Sequence, residues 1–319
     1  MKVFLLGAGA SRGSCKTFTV PIAREFGSVL AAVAPCWKTE YPALYAAVQH
    51  LHLDIASWPL EPVWTLFDYY AKLQAMIPHP ASWENSSRQI KKAILAVYGQ
   101  RCDDQASSVA DDSTLAQLIR TELKSGDVLV SFNYDTIAER LAQRFAHRLI
   151  TVPQTGGGIK FAKPHGSTSW TLDLNSRSVT YCLEEGRPIL ASLLSSDVDC
   201  GREPLVLGAV PIKSEIIKEV QCYFDTKCVF DVVGAQWRGV VEAVRDADVI
   251  VVVGYGFPVE DQYGRFLVRE GLRLRSGSPR IEFFELEGVA PGRAEEIFRV
   301  FQGRVREVVY RGPVQPGAA

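Results

Sequence analysis

Apolar residues in this chain come in two rhythms. Short runs at 3–6 (VFLL), 128–132 (VLVSF) and 248–254 (DVIVVVG) carry almost no polar break. A strand without a polar face is covered on both faces, as in a parallel sheet. The run at 248–254 is the strongest of these. Weaker strand patterns lie at 149–152, 179–183, 205–209, 280–284 (RIEFF) and 305–310 (VREVVY). Helical spacing occupies 21–34, where Pro21 suits a first turn, and then 136–145, 214–223, 234–245, 259–274 and 291–301. Thr136 and Glu139 stand at capping-box spacing and mark one helix start. Strands alternating with helices predict an α/β fold, a Rossmann-like parallel sheet with helices on both faces.

Residues 37–124 interrupt the alternation. They show helical stretches near 41–51, 61–77, 86–98 and 113–123, separated by loops rich in Pro, Ser and Asp. This predicts a mostly α-helical insertion at about 37–124 within a single domain spanning 1–311. Its aromatics (Trp58, Trp64, Phe67, Tyr69, Tyr70, Trp83) read as the core of a helical subdomain or as part of a lid over a ligand site. The tail at 312–319 is rich in Gly, Pro and Ala and is expected to be disordered.

Composition narrows the function classes. A formal net charge of −1 predicts neither direct nucleic-acid binding nor electrostatic attachment to a membrane. No apolar run reaches the length of a membrane span. Lys2, a short apolar run and Ala8-Gly9-Ala10 imitate a secretory signal, but the stretch is too short against the roughly 15–30 residues of such signals. The seven cysteines are odd in number and include no C-x-x-C pair, which argues against a disulfide framework and a ribbon-type zinc site. A cytoplasmic protein with reduced thiols and no bound metal is expected.

Three of the expected strands end in polar or glycine turns. Ligands of open α/β sheets bind outside the carboxyl ends of the strands, near the switch point. Gly7, Ala8, Gly9, Ala10 and Ser11 after the first strand are either a phosphate cradle or a tight structural turn. Asn133 can donate and accept hydrogen bonds, to a ribose hydroxyl or a water, or can serve as a left-handed turn residue. Asp135 could orient a ribose or the glycine loop, or cap the following helix. Gly254, Tyr255, Gly256 and Phe257 leave the strongest strand at the same rim. Glu285 and Glu287, just past the expected strand 280–284, could accept from an adenosine ribose or be solvated. His165, bracketed by Pro164 and Gly166, has the most distinctive setting of the five histidines, and an imidazole suits general-base work near neutral pH.

Together these blocks resemble the sirtuin-like NAD-binding family. Gly7-Ala8-Gly9-Ala10-Ser11 is similar to its N-terminal phosphate loop, Ser131-Phe132-Asn133-Tyr134-Asp135 to its Asn-x-Asp block, and Pro164-His165-Gly166-Ser167 to the block with the catalytic histidine. Residues 237–248, leading into 253–261 (VGYGFPVED), resemble a late strand-and-turn block of the prokaryotic branch, and Pro211-Ile212-Lys213 resembles another. The paired C-x-x-C zinc module of the protein deacylases is missing, and Arg12-Gly13-Ser14-Cys15 replaces their Ile-Pro-Asp-Phe-Arg segment. The resemblance is therefore to the zinc-free branch, whose members commonly hydrolyse NAD and often serve in bacterial defence against phage.

The resemblance implies an NAD glycohydrolase with NAD as substrate and no metal. Asn133 would hold the ribose or water, and His165 would be the base. Gly7, Ala8, Gly9, Ala10 and Ser11 would bind the pyrophosphate with Asp135 beside them. Gly254, Tyr255, Gly256, Phe257 and Glu285 would meet the adenosine half. Products would be nicotinamide and ADP-ribose, linear or cyclic. The alternatives are a non-catalytic NAD or ADP-ribose sensor and an NAD-dependent transferase or deacylase. A gated enzyme of this kind would call for a protein activator or a homo-oligomer, with the insertion as the gate or an oligomer contact.

Overall fold

The first strand, β1 (Lys2–Leu6), divides the molecule into two layers. Its side chains alternate, as strand geometry requires: Phe4 and Leu6 enter one apolar cluster, Val3 and Leu5 another on the opposite face. A computed structural model of the chain describes residues 1–15, 20–22, 25–57, 59–73, 83–99, 109–152, 154–173, 178–181, 202–206, 227–259, 261–286 and 305–316. β1 lies between β2 (Val128–Ser131) and β8 (Val249–Val253), and all three are buried on both faces apart from half-buried Lys2 and Val249. Beyond β2 come β4 (Ile159–Ala162) and β3 (Leu149–Thr151). Beyond β8 come β9 (Arg280–Leu286) and β10 (Glu307–Val314). All pairings in this seven-stranded sheet are parallel, so its carboxyl ends share one rim. β5 (Gly166–Asp173), β6 (Ser178–Tyr181) and β7 (Arg202–Val206) form a small antiparallel sheet.

Helices cover both faces, and the fold is the Rossmann-like α/β architecture that the alternation predicts. On one side lie α1 (Ala8–Ser14), α2 (Phe26–Val33), α3 (Trp37–Glu40), α4 (Pro42–His50), α5 (Leu60–Leu73), α6 (Trp83–Ile94), α7 (Thr114–Gln117) and α8 (Ile137–Arg144). On the other lie α9 (Lys227–Asp246) and α10 (Gln262–Leu274), with Val240, Val244, Leu267 and Leu272 facing the sheet. Two π-helical turns, Leu95–Gly99 and Leu118–Glu122, extend α6 and α7. Between β1 and β2 the described residues form helices and turns without a strand.

The described aromatics of this helical region pack together but not around a core of their own, and Trp58 lies outside the described residues. Trp83 is fully buried, with Tyr70 stacked on it at 4.6 Å and Phe67 at 6.0 Å between ring centroids. These belong to the same cluster as Phe4 and Leu6 of β1, so the helices share the sheet's core instead of closing around one of their own. Full burial of each large apolar side chain contributes about 1.5–3 kcal/mol, which ties the region's stability to that of the sheet.

Several elements differ from expectation. The segment after β1 is a helix at once, so the glycine turn shrinks to Gly7, and the helix expected from Pro21 starts at Phe26. β4 and β5 escape the sequence reading because IKFA is a very short alternation and GSTSWTLD reads as a polar loop. The last strand reaches Val314, and the Thr114 backbone N–H donates to the Gln315 carbonyl at 2.9 Å. Residues 312–315 are thus held against α7 and are not part of a disordered tail. The capping box does not form: Thr136 makes no side-chain cap bond, and Glu139 is drawn into the core by Lys163. The expected helices at 214–223 and 291–301, the block at 211–213 and residues 317–319 lie outside the described residues. No described helix is long and apolar enough to cross a membrane.

Candidate active site

Two backbone segments meet at the rim with almost no space between them. The Gly7 N–H donates to the Val253 carbonyl at 3.0 Å, and the Gly9 N–H donates to the Gly254 carbonyl at 2.9 Å. A Cβ on Gly7 would lie 2.5 Å from Tyr255 Cα, and one on Gly254 would lie 2.2 Å from the Ala10 nitrogen. Gly254 also has φ +56°, a left-handed conformation that glycine adopts without penalty. Glycine is required at both places by close approach. The Ala10 N–H donates to the Gly7 carbonyl at 2.9 Å, so the amides of Gly9 and Ala10 are both occupied within the protein. What remains of the expected cradle is its Gly7–Ala8 end, where Ala8 is half-buried.

Asn133 stands just past β2 and reaches back to this turn. Its amide nitrogen donates to the Gly7 carbonyl at 2.9 Å and to Ser11 Oγ at 3.0 Å. Those two bonds use both amide hydrogens and leave Oδ1 as the group's acceptor. Ser11 Oγ in turn donates to Asp135 Oδ1 at 3.0 Å, which also accepts from the Ile137 N–H at 3.0 Å. Asp135 therefore both orients the glycine segment and caps α8.

The turn carrying His165 is clamped to this same segment. The Thr168 backbone N–H and Oγ1 both donate to the Tyr134 carbonyl at 3.0 Å. Lys163 Nζ donates to the Asp135 carbonyl and, at 2.8 Å, to Glu139 Oε1. Lys163 is fully buried, and so is its partner to within 2%. Burial raises both the Asp135 and the Glu139 carboxyl above the usual range; the Lys163 ammonium pulls them back without restoring it. From the far side, Gln236 Oε1 accepts from the Lys163 backbone N–H at 2.8 Å, and Trp237 Nε1 donates to the Pro164 carbonyl at 3.0 Å. The rim thus brings Gly7, Ser11, Asn133, Asp135 and His165 into one bonded assembly.

His165 is 3% exposed and lies against the Phe132 ring, 5.4 Å between centroids. Its Nε2 is 3.0 Å from Asp261 Oδ2. The same carboxylate oxygen accepts from the Tyr255 hydroxyl, and Oδ1 accepts from the Gly264 N–H at 2.8 Å, which caps α10. Burial raises the Asp261 carboxyl, but His165, Tyr255 and Gly264 more than offset it, and the net displacement is below the usual value. Tyr255 stacks on Phe132 at 4.3 Å and meets Phe257 at 4.3 Å. Tyr255 and Phe257 are buried, so they form an aromatic floor under the rim; half-buried Gly256 separates them. Phe257 has φ +45°.

Glu285 lies within β9, which continues to Leu286, and not in a loop after it. It is half-buried, one residue past Phe284, whose carbonyl accepts from the Gly254 N–H at 2.7 Å. It therefore shares the rim, and Glu287 lies outside the described residues. Cys15, close behind the glycine segment, is a buried thiol pushed up to about 12, mainly by burial and then by Asp135, which makes it a poor nucleophile. Among the described residues no group of three or more His, Cys, Asp or Glu is placed to hold a metal.

The sequence reading assigned no role to Lys163, Glu139 beyond a cap, or Asp261. Only Asp261 left a local trace, an acidic residue three before a glycine at a helix start.

No family model matches this chain. No curated protein matches it either. Among solved structures it is similar to one described as the structural basis for sirtuin substrate affinity, with 13% identity and TM-score 0.35, covering 97% of this chain and 86% of that one. It is also similar to Sir2 in complex with the inhibitor EX-527, 2'-O-acetyl-ADP-ribose and deacetylated p53 peptide, with 11% identity and TM-score 0.37, covering 97% and 87%. A third, Sir2 with p53 peptide and NAD+, has 12% identity and TM-score 0.34, with the same coverages of 97% and 87%. The α/β architecture of this chain rests on its strand order and its two covered faces.

Proposed function

We propose that this protein is an NAD glycohydrolase. Water attacks the ribose carbon that bears nicotinamide, the C–N bond breaks, and nicotinamide leaves neutral because the bound pyridinium was already cationic. The remaining proton of the attacking water passes to the His165 imidazole. Asn133 offers Oδ1 to the ribose or to the water. A planar, charge-spread sugar in the transition state needs orientation more than acid, and a prepositioned amide and imidazole provide orientation.

The observation that carries this reading is the double clamp between residues 133–135 and 163–168, through Thr168 to Tyr134 and Lys163 to Asp135. It sets the two candidate catalytic side chains on one rigid rim. The residues fit a dinucleotide in part. Glycine backbone at Gly7 permits close approach, while the occupied amides of Gly9 and Ala10 narrow pyrophosphate contact to Gly7 and Ala8. Glu285, half-buried near the end of β9, is the residue we assign to the adenosine half.

A second reading, a non-catalytic nucleotide sensor, draws on the same occupied groups: both Asn133 amide hydrogens already serve the protein. Incubating the pure protein with NAD and following nicotinamide by chromatography separates the two. The hydrolase releases nicotinamide without any acceptor; His165→Ala reduces release by about 100-fold or more, the usual size of a general-base contribution, and Asn133→Ala by about 100-fold through lost orientation of the ribose or water. Saturable binding with no release, or full release by the double variant, rejects the assignment. Defence against phage is the biological setting we propose, read out as loss of protection in cells that carry His165→Ala. A protein activator or self-assembly would supply the trigger.

A further inference from the structure

We propose that Asp261 is the positioning residue for His165, holding its neutral imidazole with the proton on Nε2 so that Nδ1 is the basic nitrogen. This rests on the reading of His165 as the base. The geometry behind it is a carboxylate fixed from three directions. Oδ2 faces His165 Nε2 at 3.0 Å and accepts from the Tyr255 hydroxyl, and Oδ1 accepts from the Gly264 N–H at 2.8 Å. Asp261 is 3% exposed, and a Cβ at Gly264 would lie 2.6 Å from Oδ2 and 2.0 Å from the Tyr255 oxygen. Space at Gly264 is therefore reserved for this carboxylate and its phenol. A carboxylate accepts only, so the ring nitrogen that faces it must carry the hydrogen.

The surroundings explain why a carboxylate is needed. Just past β2, the uncharged Phe132 ring lies against the imidazole and can offer a cation only its ring quadrupole, not a counter-charge. From the turn after β8, Tyr255 acts through Asp261. On the imidazole's own turn, Lys163 is committed to Glu139 and the Asp135 carbonyl. When His165 takes a proton from water, the new charge is balanced by Asp261, which stays ionised near neutral pH because its three donors hold it below the usual carboxylate value.

The test is imidazole nitrogen NMR on the full-length chain, with nicotinamide release measured alongside. Wild type is expected to show the Nε2–H tautomer at the high-pH end of the His165 titration; an Nδ1–H tautomer overturns the proposal. Asp261→Asn keeps an oxygen for the Gly264 cap but removes the charge, and Asp261→Ser keeps a helix cap without a carboxylate. In whichever folds, His165 is expected to titrate at lower pH, kcat to fall at least tenfold with KM for NAD within twofold, and the acid limb of the rate profile to move the same way. An unmoved His165 titration in a folded variant overturns the role. If wild type releases no nicotinamide, the hydrolase reading fails by itself, and the tautomer and titration still decide what Asp261 does.

Discussion

The two halves of the rim are built by opposite means. Around Gly7 and Gly254 the fit depends on missing side chains: two backbones approach so closely that a single added carbon has nowhere to go. Around Lys163 and His165 it depends on buried polar and charged groups, with one ammonium, the carboxyls of Asp135, Glu139 and Asp261 and one imidazole held in a space with almost no exposure. The first half tolerates no change of volume. The second should tolerate shape changes better than changes of charge, because an uncompensated ion in a low-dielectric interior is expensive. Both halves end on the same short segment, residues 133–135, which is where they are joined.

The strongest test of that contrast is Lys163→Met, which keeps most of the volume and deletes the charge. Breaking a buried pair from one side is expected to lower unfolding free energy by about 3–5 kcal/mol in urea titrations at neutral pH. The sign of the pH dependence follows from the carboxyls. Asp135 and Glu139 already have folded-state values above their unfolded ones, so their burial favours folding most at low pH, and this is lost as pH rises through the folded values. Removing Lys163 raises those values further. The deficit of the variant should therefore shrink on acidification toward about pH 5, and Glu139→Gln should recover part of it at neutral pH. A pH-independent deficit would mean that volume governs this half too.

Gly254→Ala probes the other half, with the added carbon 2.2 Å from the Ala10 nitrogen and φ at +56°. Overpacking and left-handed strain together predict a loss of about 2–4 kcal/mol, without the pH signature of Lys163→Met. The smallest effect belongs to the joint. Ser11→Ala removes one link between Asn133 and Asp135 while leaving their bonds to the Gly7 carbonyl and the Ile137 N–H. A loss of about 1–3 kcal/mol is expected, with nicotinamide release reduced more than stability alone explains, because Asn133 is less firmly held. Equal effects from Ser11→Ala and Gly254→Ala would erase the distinction between fit by absence and fit by bonding.

Much of this arrangement was legible in the chain. Unbroken apolar runs at 3–6, 128–132 and 248–254 predicted three central parallel strands, and they are neighbours in the sheet. Alternation with helices predicted the architecture, and the carboxyl-end rule brought the glycine, asparagine and late-turn blocks to one rim. The short strands on either side of His165 were missed because a buried turn that carries its own hydrogen-bonded partners need not look apolar. Lys163 and Glu139 were missed for the same reason: as isolated letters they read as solvated charges, and Glu139 matched a cap.

What the sequence determined by itself is therefore whatever depends on local repetition, namely strand runs, helix spacing and the glycines that must turn. What only the tertiary structure decided is which polar groups face each other: Lys163 with Glu139, Thr168 with the Tyr134 carbonyl, His165 with Asp261. Apolar burial is additive and non-directional, so it leaves a periodic trace along one segment. A buried hydrogen bond or ion pair is directional and joins segments far apart in the chain, so neither partner's neighbours announce it.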